Sequence, residues 1–349
     1  MFTFFIAILV IGIIVLVHEL GHFLIAKAFG ITVERFSIGF PPTMLSKKIG
    51  ETEYCIGWIP FGGYVKLLGE APDSEIQNPR SFRAKPPIIR IAVLAAGPFM
   101  NIILGFILMF CVLMGYGEGI PRFESAEIGS IISGMPASEA GIAAGDVILT
   151  IDSDTVATWE DLTKIIHRNP NNPLILTISR GDSIFQIALT TSERIQQSDT
   201  GTITVGVIGI TPSIEQRKLP FGEALTRSFE VTYAFSFAIV SFIGGLIIGQ
   251  ASMSEVGGPV MIAQMAGQSA RLGIWQLIIF IGALSLNLAV LNLLPLPILD
   301  GGQILFTLFE AIRKKAISQK VQAAIQQLSI AFILAFMLIV TIKDILRLF

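Results

Sequence analysis

Hydrophobic positions form long unbroken runs toward both ends of the chain and short alternating runs in its middle. Apolar stretches at 2–28, 88–114, 272–294 and 326–343 each come near the ~20 residues a helix needs to cross a bilayer core. A fifth run, 229–249, carries no charge from Val231 to Ser254. Between about 118 and 215 the pattern changes. Strand-like runs such as Leu174-Ile175-Leu176-Thr177-Ile178 are separated by turn signals at Asn169-Pro170, Asn171-Asn172-Pro173 and Arg180-Gly181-Asp182, and one helical pattern runs from Trp159 to His167. About 100 residues of this kind make one small α+β domain. The expected organisation is an N-terminal membrane half (1–117), an inserted domain (118–215), a membrane-associated connecting region (216–270) and a C-terminal membrane half (271–349). This is a multi-pass α-helical membrane protein of about four spans.

Composition strengthens the membrane reading. Charged residues are 14% of the chain and hydrophobic ones 52%, against about a quarter charged in soluble domains. A net charge of −2 gives no basic footprint for a nucleic-acid partner. Cys55 and Cys111 match no metal-type cluster, and no disulfide is expected. The first apolar run lacks a basic leader and a small-residue cleavage site, and it continues past a polar trio to Ala28. It reads as a retained membrane helix rather than a signal peptide.

Basic residues set an expected topology. Lys47, Lys48, Arg80, Arg83, Lys85 and Arg90 lie between the first two spans, and Arg313, Lys314, Lys315 and Lys320 between the last two. The positive-inside rule makes both loops cytoplasmic and the N-terminus and inserted domain extracytoplasmic. The chain then crosses an odd number of times between that domain and Arg313. If 272–294 crosses, 229–249 cannot be a simple second crossing and is expected to lie on the membrane or re-enter it.

The polar trio in the first span is His18-Glu19-Leu20-Gly21-His22. Residues four apart share a helix face, so both imidazoles reach one ion while Glu19 can act on water beside it. Two of the three histidines of the chain are here. A Glu and two His inside a membrane segment are expensive, and function is the default explanation. A catalytic zinc takes three protein ligands. His167 sits in the inserted domain, so Asp300 is the better third candidate. It ends the run Asn292-Leu293-Leu294-Pro295-Leu296-Pro297-Ile298-Leu299-Asp300-Gly301-Gly302, where two prolines end the helix and force extended backbone. Broken backbone at membrane depth is tolerated where protein or a water-filled cavity satisfies it. That places Asn292 and Asp300 at a polar cavity on the side of His18 and His22. A carboxylate capping the next helix is the competing explanation of Asp300.

The two motifs His18-Glu19-x-x-His22 and Asn292-x-x-Pro295-x-Pro297-x-Leu299-Asp300-Gly301, with Gly97-Pro98-x-x-Asn101 and Pro60-x-Gly62-Gly63-Tyr64, resemble the site-2 protease family of intramembrane zinc proteases. The subgroup typified by the regulator of sigma-E protease looks nearest, and the resemblance covers nearly the whole chain. Gln303 departs from the His that many relatives carry after the double Gly. The resemblance implies Zn²⁺ held by His18, His22 and Asp300, Glu19 as catalytic acid/base, and Asn292, flanked by Pro295 and Pro297, on the substrate and oxyanion side. It also implies a bacterial inner-membrane location and a membrane-spanning protein substrate within the lipid bilayer, such as an anti-sigma factor or a remnant signal peptide.

Two further segments bear on substrate. Thr52–Ile59 and Tyr64–Leu68 read as strands with Pro60-Phe61-Gly62-Gly63 turning between them. An ordinary cytoplasmic hairpin explains them. The resemblance implies instead a membrane-associated β-hairpin whose Gly62, Gly63 and Tyr64 clamp substrate by strand addition. In the insert, Ile128-Gly129-Ser130-Ile131 and the stretch from Ala140-Gly141-Ile142 to Asp152 resemble one bacterial protease-type PDZ domain. Its groove would either bind a peptide or other partner beside the Trp159–His167 helix, or the domain would act as a size filter. Both remain open. A membrane transporter is the alternative for the whole chain, but it should show paired inverted repeats and none is visible. A PDZ-based scaffold with a dead core is countered by the intact set His18, Glu19, His22 and Asp300.

Overall fold

The N-terminal apolar run forms one helix, α1 (Phe2–Ala28), which stops where Gly30 takes φ +66°. The positions below come from a computed structural model that describes residues 1–70, 78–198, 201–253, 256–314 and 317–347. Ser254 and Lys315, which entered the sequence reading, lie outside them. The chain divides into two units, Met1–Gly115 with Pro220–Phe349, and Tyr116–Leu219.

After α1 come two long strands, β1 (Val33–Ile49) and β2 (Thr52–Leu67), and then α2 (Pro87–Gly115), which carries Pro98 in its interior. The strand order differs from the hairpin read in the sequence. Ser37 pairs with both Tyr64 and Cys55, and Ile38 with both Gly63 and Ile56. Residues 33–38 therefore lie between the two segments expected to pair with each other. The tight hairpin closes instead at Gly50-Glu51, where Ile49 pairs with Thr52. Arg35 explains the arrangement. It donates to Glu53 at 2.9 and 2.6 Å and to Tyr64 Oη at 3.3 Å, tying both neighbours to the middle segment. Val33 and Leu67 are buried with Ala26 of α1 and Val93 of α2, which docks the sheet against both helices. Its far end exposes Ile38, Phe40, Trp58 and Ile59.

The second unit begins with β3 (Glu118–Pro121) and β4 (Ile128–Ile131), then α3 (Pro136–Glu139), β5 (Val147–Ile151), β6 (Asp154–Thr155) and α4 (Trp159–His167). It continues with β7 (Pro173–Arg180), β8 (Ser183–Thr190), β9 (Ser192–Ser198), β10 (Gly201–Val207), β11 (Ile210–Pro212) and β12 (Ile214–Arg217). A four-stranded sheet has the order β6-β5-β7-β8, and β4 pairs with β11, β3 with β12 and β9 with β10. Period-two alternation puts Leu174, Leu176 and Ile178 inward, where they meet Ile148, Ile151, Leu162 and Ile166. A capping box between Thr158 and Asp161 starts α4.

Asp146, fully buried, accepts from Arg180 Nε and Nη2 at 2.7 and 2.8 Å and from the Ala143 amide at 2.8 Å. The Arg180 hydrogen bonds hold its carboxyl below the usual range. The resulting stability is full above the unfolded value of about 3.9 and is lost as pH falls through the lower folded one. Asp146→Asn should destabilise this unit by roughly 2 kcal/mol at neutral pH, because Arg180 is half-exposed and keeps its hydration. Faster hydrogen exchange of β7 amides at pH 7, converging with wild type in acid, is the expected result. Unchanged exchange at pH 7 would count against it.

The first unit resumes with α5 (Phe221–Ile247), α6 (Pro259–Leu272), α7 (Ile274–Asn292), α8 (Asp300–Arg313) and α9 (Gln319–Leu346). Among the described residues, five helices are long and apolar enough to cross a membrane: α1, α2, α5, α7 and α9. Four were expected from the sequence, with α5 set apart. Small residues bring α2 and α7 together. A Cβ on Gly105 would lie 3.2 Å from the Gly282 carbonyl. A largely buried ion pair, Arg90 to Glu310 at 3.1 Å, fixes α8 to the start of α2.

Candidate metal centre

Helical spacing places His18 and His22 on one face of α1, and that face meets α2 at two glycines. A Cβ on Gly21 would lie 2.7 Å from the Ala96 carbonyl carbon, and one on Gly97 would lie 2.6 Å from His22 Cε1 and 2.8 Å from His18 Cε1. Only hydrogen fits between these helices. Asp300 arrives from the other side. After Asn292 the chain folds back tightly, with Gly301 and Gly302 pressed on the backbone of 293–297; a Cβ on either would lie within 2.7 Å of it. Asp300 stands in the first turn of α8 and makes no cap hydrogen bond there. Its carboxylate faces the histidines instead.

His18 Nε2 is 3.2 Å from His22 Nε2 and 3.2 Å from Asp300 Oδ2, and His22 Nε2 is 3.5 Å from Asp300 Oδ1. These are the only groups of His, Cys, Asp or Glu among the described residues that gather closely enough for one ion. His22 Nδ1 donates to the Val93 carbonyl at 2.8 Å, which leaves a lone pair on its Nε2. The lone pair of His22, the Nε2 of His18 and a carboxylate thus converge on one point, an arrangement that suits a cation. The separations also suit zinc, whose tetrahedral ligands at ~2.0–2.1 Å stand about 3.3 Å apart.

Around the triangle lies a 540 Å³ cavity lined by Glu19, Asn292, Gly62, Gly63, Tyr64 and Glu70 among others. Asn292 Nδ2 is 3.4 Å from His18 Nε2. Glu19 lies across from Gly63, whose Cβ would be 3.5 Å from Glu19 Cγ. Pro295 and Pro297 do not line the cavity; Pro297 offers its carbonyl to Gln303 Nε2 at 2.6 Å. They shape the loop that returns Asp300, and Gln303 fastens it. Sequence reasoning did not single out Glu70, Val93 or a role for Asn101. Val93 acts through its backbone and leaves no signal in the sequence. Asn101 is a fully buried amide within a span, and that polarity was the available clue.

Comparison with known proteins decides the family. The model of "Peptidase family M50" matches residues 6–336. The chain belongs to peptidase family M50. Among its M50 relatives, a Clostridium perfringens protein named provisionally as a zinc metalloprotease is 37% identical over 341 residues, with 97% of each chain covered. The "Regulator of sigma-W protease RasP" of Bacillus subtilis and the "Zinc metalloprotease RasP" of Bacillus licheniformis are each 30% identical, with 98% of both chains covered. A PDZ domain of an SdrC-like protein from Listeria monocytogenes is 21% identical, covering 26% of this chain and 88% of its own at a TM-score of 0.21. This M50 chain is a zinc metalloprotease of a bacterial membrane, and nothing favours a transporter or a scaffold.

Proposed function

We propose that His18, His22 and Asp300 hold the zinc ion and that Glu19 carries the proton in hydrolysis of a peptide bond within the membrane. The convergence of the three donors in a cavity walled by membrane helices carries this reading. A bound zinc ion supplies Lewis acidity, polarising the scissile carbonyl and acidifying water. Glu19 takes the proton of the attacking water and passes it to the leaving amine. Asn292, which lines the same cavity, donates its amide to the developing oxyanion. The segment 63–67 pairs only with 33–38 among the described residues and lines the cavity. A substrate strand adds beside Gly62, Gly63 and Tyr64, short of the Leu67 amide that Glu70 already takes at 3.2 Å, which unwinds a helix enough to expose the scissile amide. The substrate is a membrane-spanning protein, an anti-sigma factor or a remnant signal peptide being the candidates that the resemblance to site-2 proteases implies; the Bacillus subtilis relative is named a regulator of sigma-W protease.

The orientation has the N-terminus and the insert outside and the metal toward the cytoplasm, with four crossings. Contacts support leaving α5 out. Gly267 packs on Thr3, the Met261 amide donates to Asp344 at 2.9 Å, and Gly115 meets Trp275. The start of α1 and the ends of α2 and α9 thus share one face. Both ends of α5 stay near it: Phe221 stacks edge-on against Phe110, and Gly245 packs on Ala251, two residues from Met253, whose carbonyl takes Lys343 Nζ at 2.8 Å. A 27-residue helix is ~40 Å long, and ends this near one face fit an oblique helix better than a crossing one. Within the insert, α4 and the segment from Gly206 to Ile210 flank a 220 Å³ groove with Arg194 and His167 at its rim, which suits an extended peptide.

Incubating the purified chain with a single-span anti-sigma-type substrate, with and without a zinc chelator, tests the reaction. Cleavage inside the span that stops with chelator and returns with zinc is expected. Chelator-resistant cleavage would overturn it.

A further inference from the structure

Asn101 is buried completely in α2, and its amide meets the back of the metal site. Asn101 Nδ2 stands 3.3 Å from His18 Nδ1, while Asn101 Oδ1 is buried with no hydrogen-bond partner. That pairing sets two donors against each other once His18 presents its Nε2 lone pair to Asp300 and His22, because the ring proton is then on Nδ1. Amide oxygen and nitrogen have the same shape, and the hydrogen-bond network decides between them. Turning the amide over brings Oδ1 to Nδ1–H and removes the conflict.

We infer that Asn101 is the positioning residue for His18: its side-chain oxygen accepts from Nδ1–H, fixing the tautomer and ring plane that present Nε2 to the ion. The inference rests on His18, His22 and Asp300 being the zinc ligands. A ligating imidazole commonly donates its second N–H to such a partner, and losing the partner weakens metal binding 10–100-fold. The two histidines are served differently by one helix. His22 donates to a backbone carbonyl, Val93, which no substitution removes. His18 relies on a side chain. Asn101 is itself held, since Ser285 Oγ of α7 donates to the Asn101 carbonyl at 2.8 Å. The helix that ends in Asn292 therefore braces the turn that orients His18.

The test measures the zinc dissociation constant of the full chain in detergent by competition with a chromogenic chelator. Four variants are compared with wild type: Asn101→Leu, Asn101→Ala, Asn101→Asp and His18→Ala. Asn101→Leu keeps the branching and heavy-atom count and loses the acceptor; Asn101→Ala serves if the bulkier Leu variant does not purify as a folded species. Expected are a 10–100-fold loss of zinc affinity for Asn101→Leu or Asn101→Ala and an affinity within a few-fold of wild type for Asn101→Asp, which retains an acceptor oxygen. Wild-type affinity in the Leu or Ala variant, or equal losses in these and in Asn101→Asp, overturns the inference. His18→Ala separates the two levels. If it leaves zinc affinity unchanged, the ligand assignment itself fails. If it lowers affinity while Asn101→Leu does not, only the role of Asn101 fails.

Discussion

Glu19→Gln should leave the zinc content at wild-type level and reduce cleavage of a membrane-spanning substrate by about 100-fold to 10⁴-fold, the range that a positioned acid/base contributes. The two side chains have nearly the same shape, so packing across from Gly63 is kept. What is lost is the ability to take a proton from water and return it to an amine. Metal retention follows from the donor triangle, which consists of His18, His22 and Asp300 and does not include Glu19. The measurement pairs zinc per chain, by elemental analysis, with the rate of substrate cleavage. Full activity in the variant would remove Glu19 from the chemistry. Loss of zinc together with activity would instead make Glu19 part of the ion's support.

How much of this was legible in the sequence depended on whether the deciding interaction was local. His18 and His22 are four apart on a helix, and that periodicity needs no tertiary information. Asp300 was legible because Pro295 and Pro297 punctuate a span at a depth where broken backbone requires a reason. The strand order was not legible. Nothing near Tyr64 says that its partner is Ser37 rather than the segment eight residues before it, since the choice is made by Arg35 bonding to Glu53 and Tyr64 at once. The path of α5 was half legible. Apolar length gives the capacity to cross, and length alone does not say which direction the helix takes. The support behind the imidazoles was the least visible, because Val93 contributes a carbonyl that every residue has and Asn101 lies 83 positions from His18.

Gly97→Ala should empty the metal centre while leaving the membrane helices folded. A methyl there would stand 2.6 Å from His22 Cε1 and 2.8 Å from His18 Cε1, well inside carbon–carbon contact at ≈ 3.5–4.0 Å. The rings have little room to yield. His22 is tied to Val93 at 2.8 Å, and His18 is backed by the buried amide of Asn101. The methyl must therefore move both Nε2 atoms off the point they share with Asp300, and a site displaced by about an ångström loses most of its affinity. Helix propensity acts in the opposite direction, since Ala is favoured over Gly by about 1 kcal/mol in a helix interior. Helical content should accordingly stay the same while bound zinc falls below about a tenth of an ion per chain and cleavage disappears with it. Gly12→Ala is the matched control on α1, because a Cβ there meets nothing within 4 Å; it should keep both zinc and activity. Wild-type zinc in Gly97→Ala would mean that the two imidazoles do not meet the ion where the donor triangle places them.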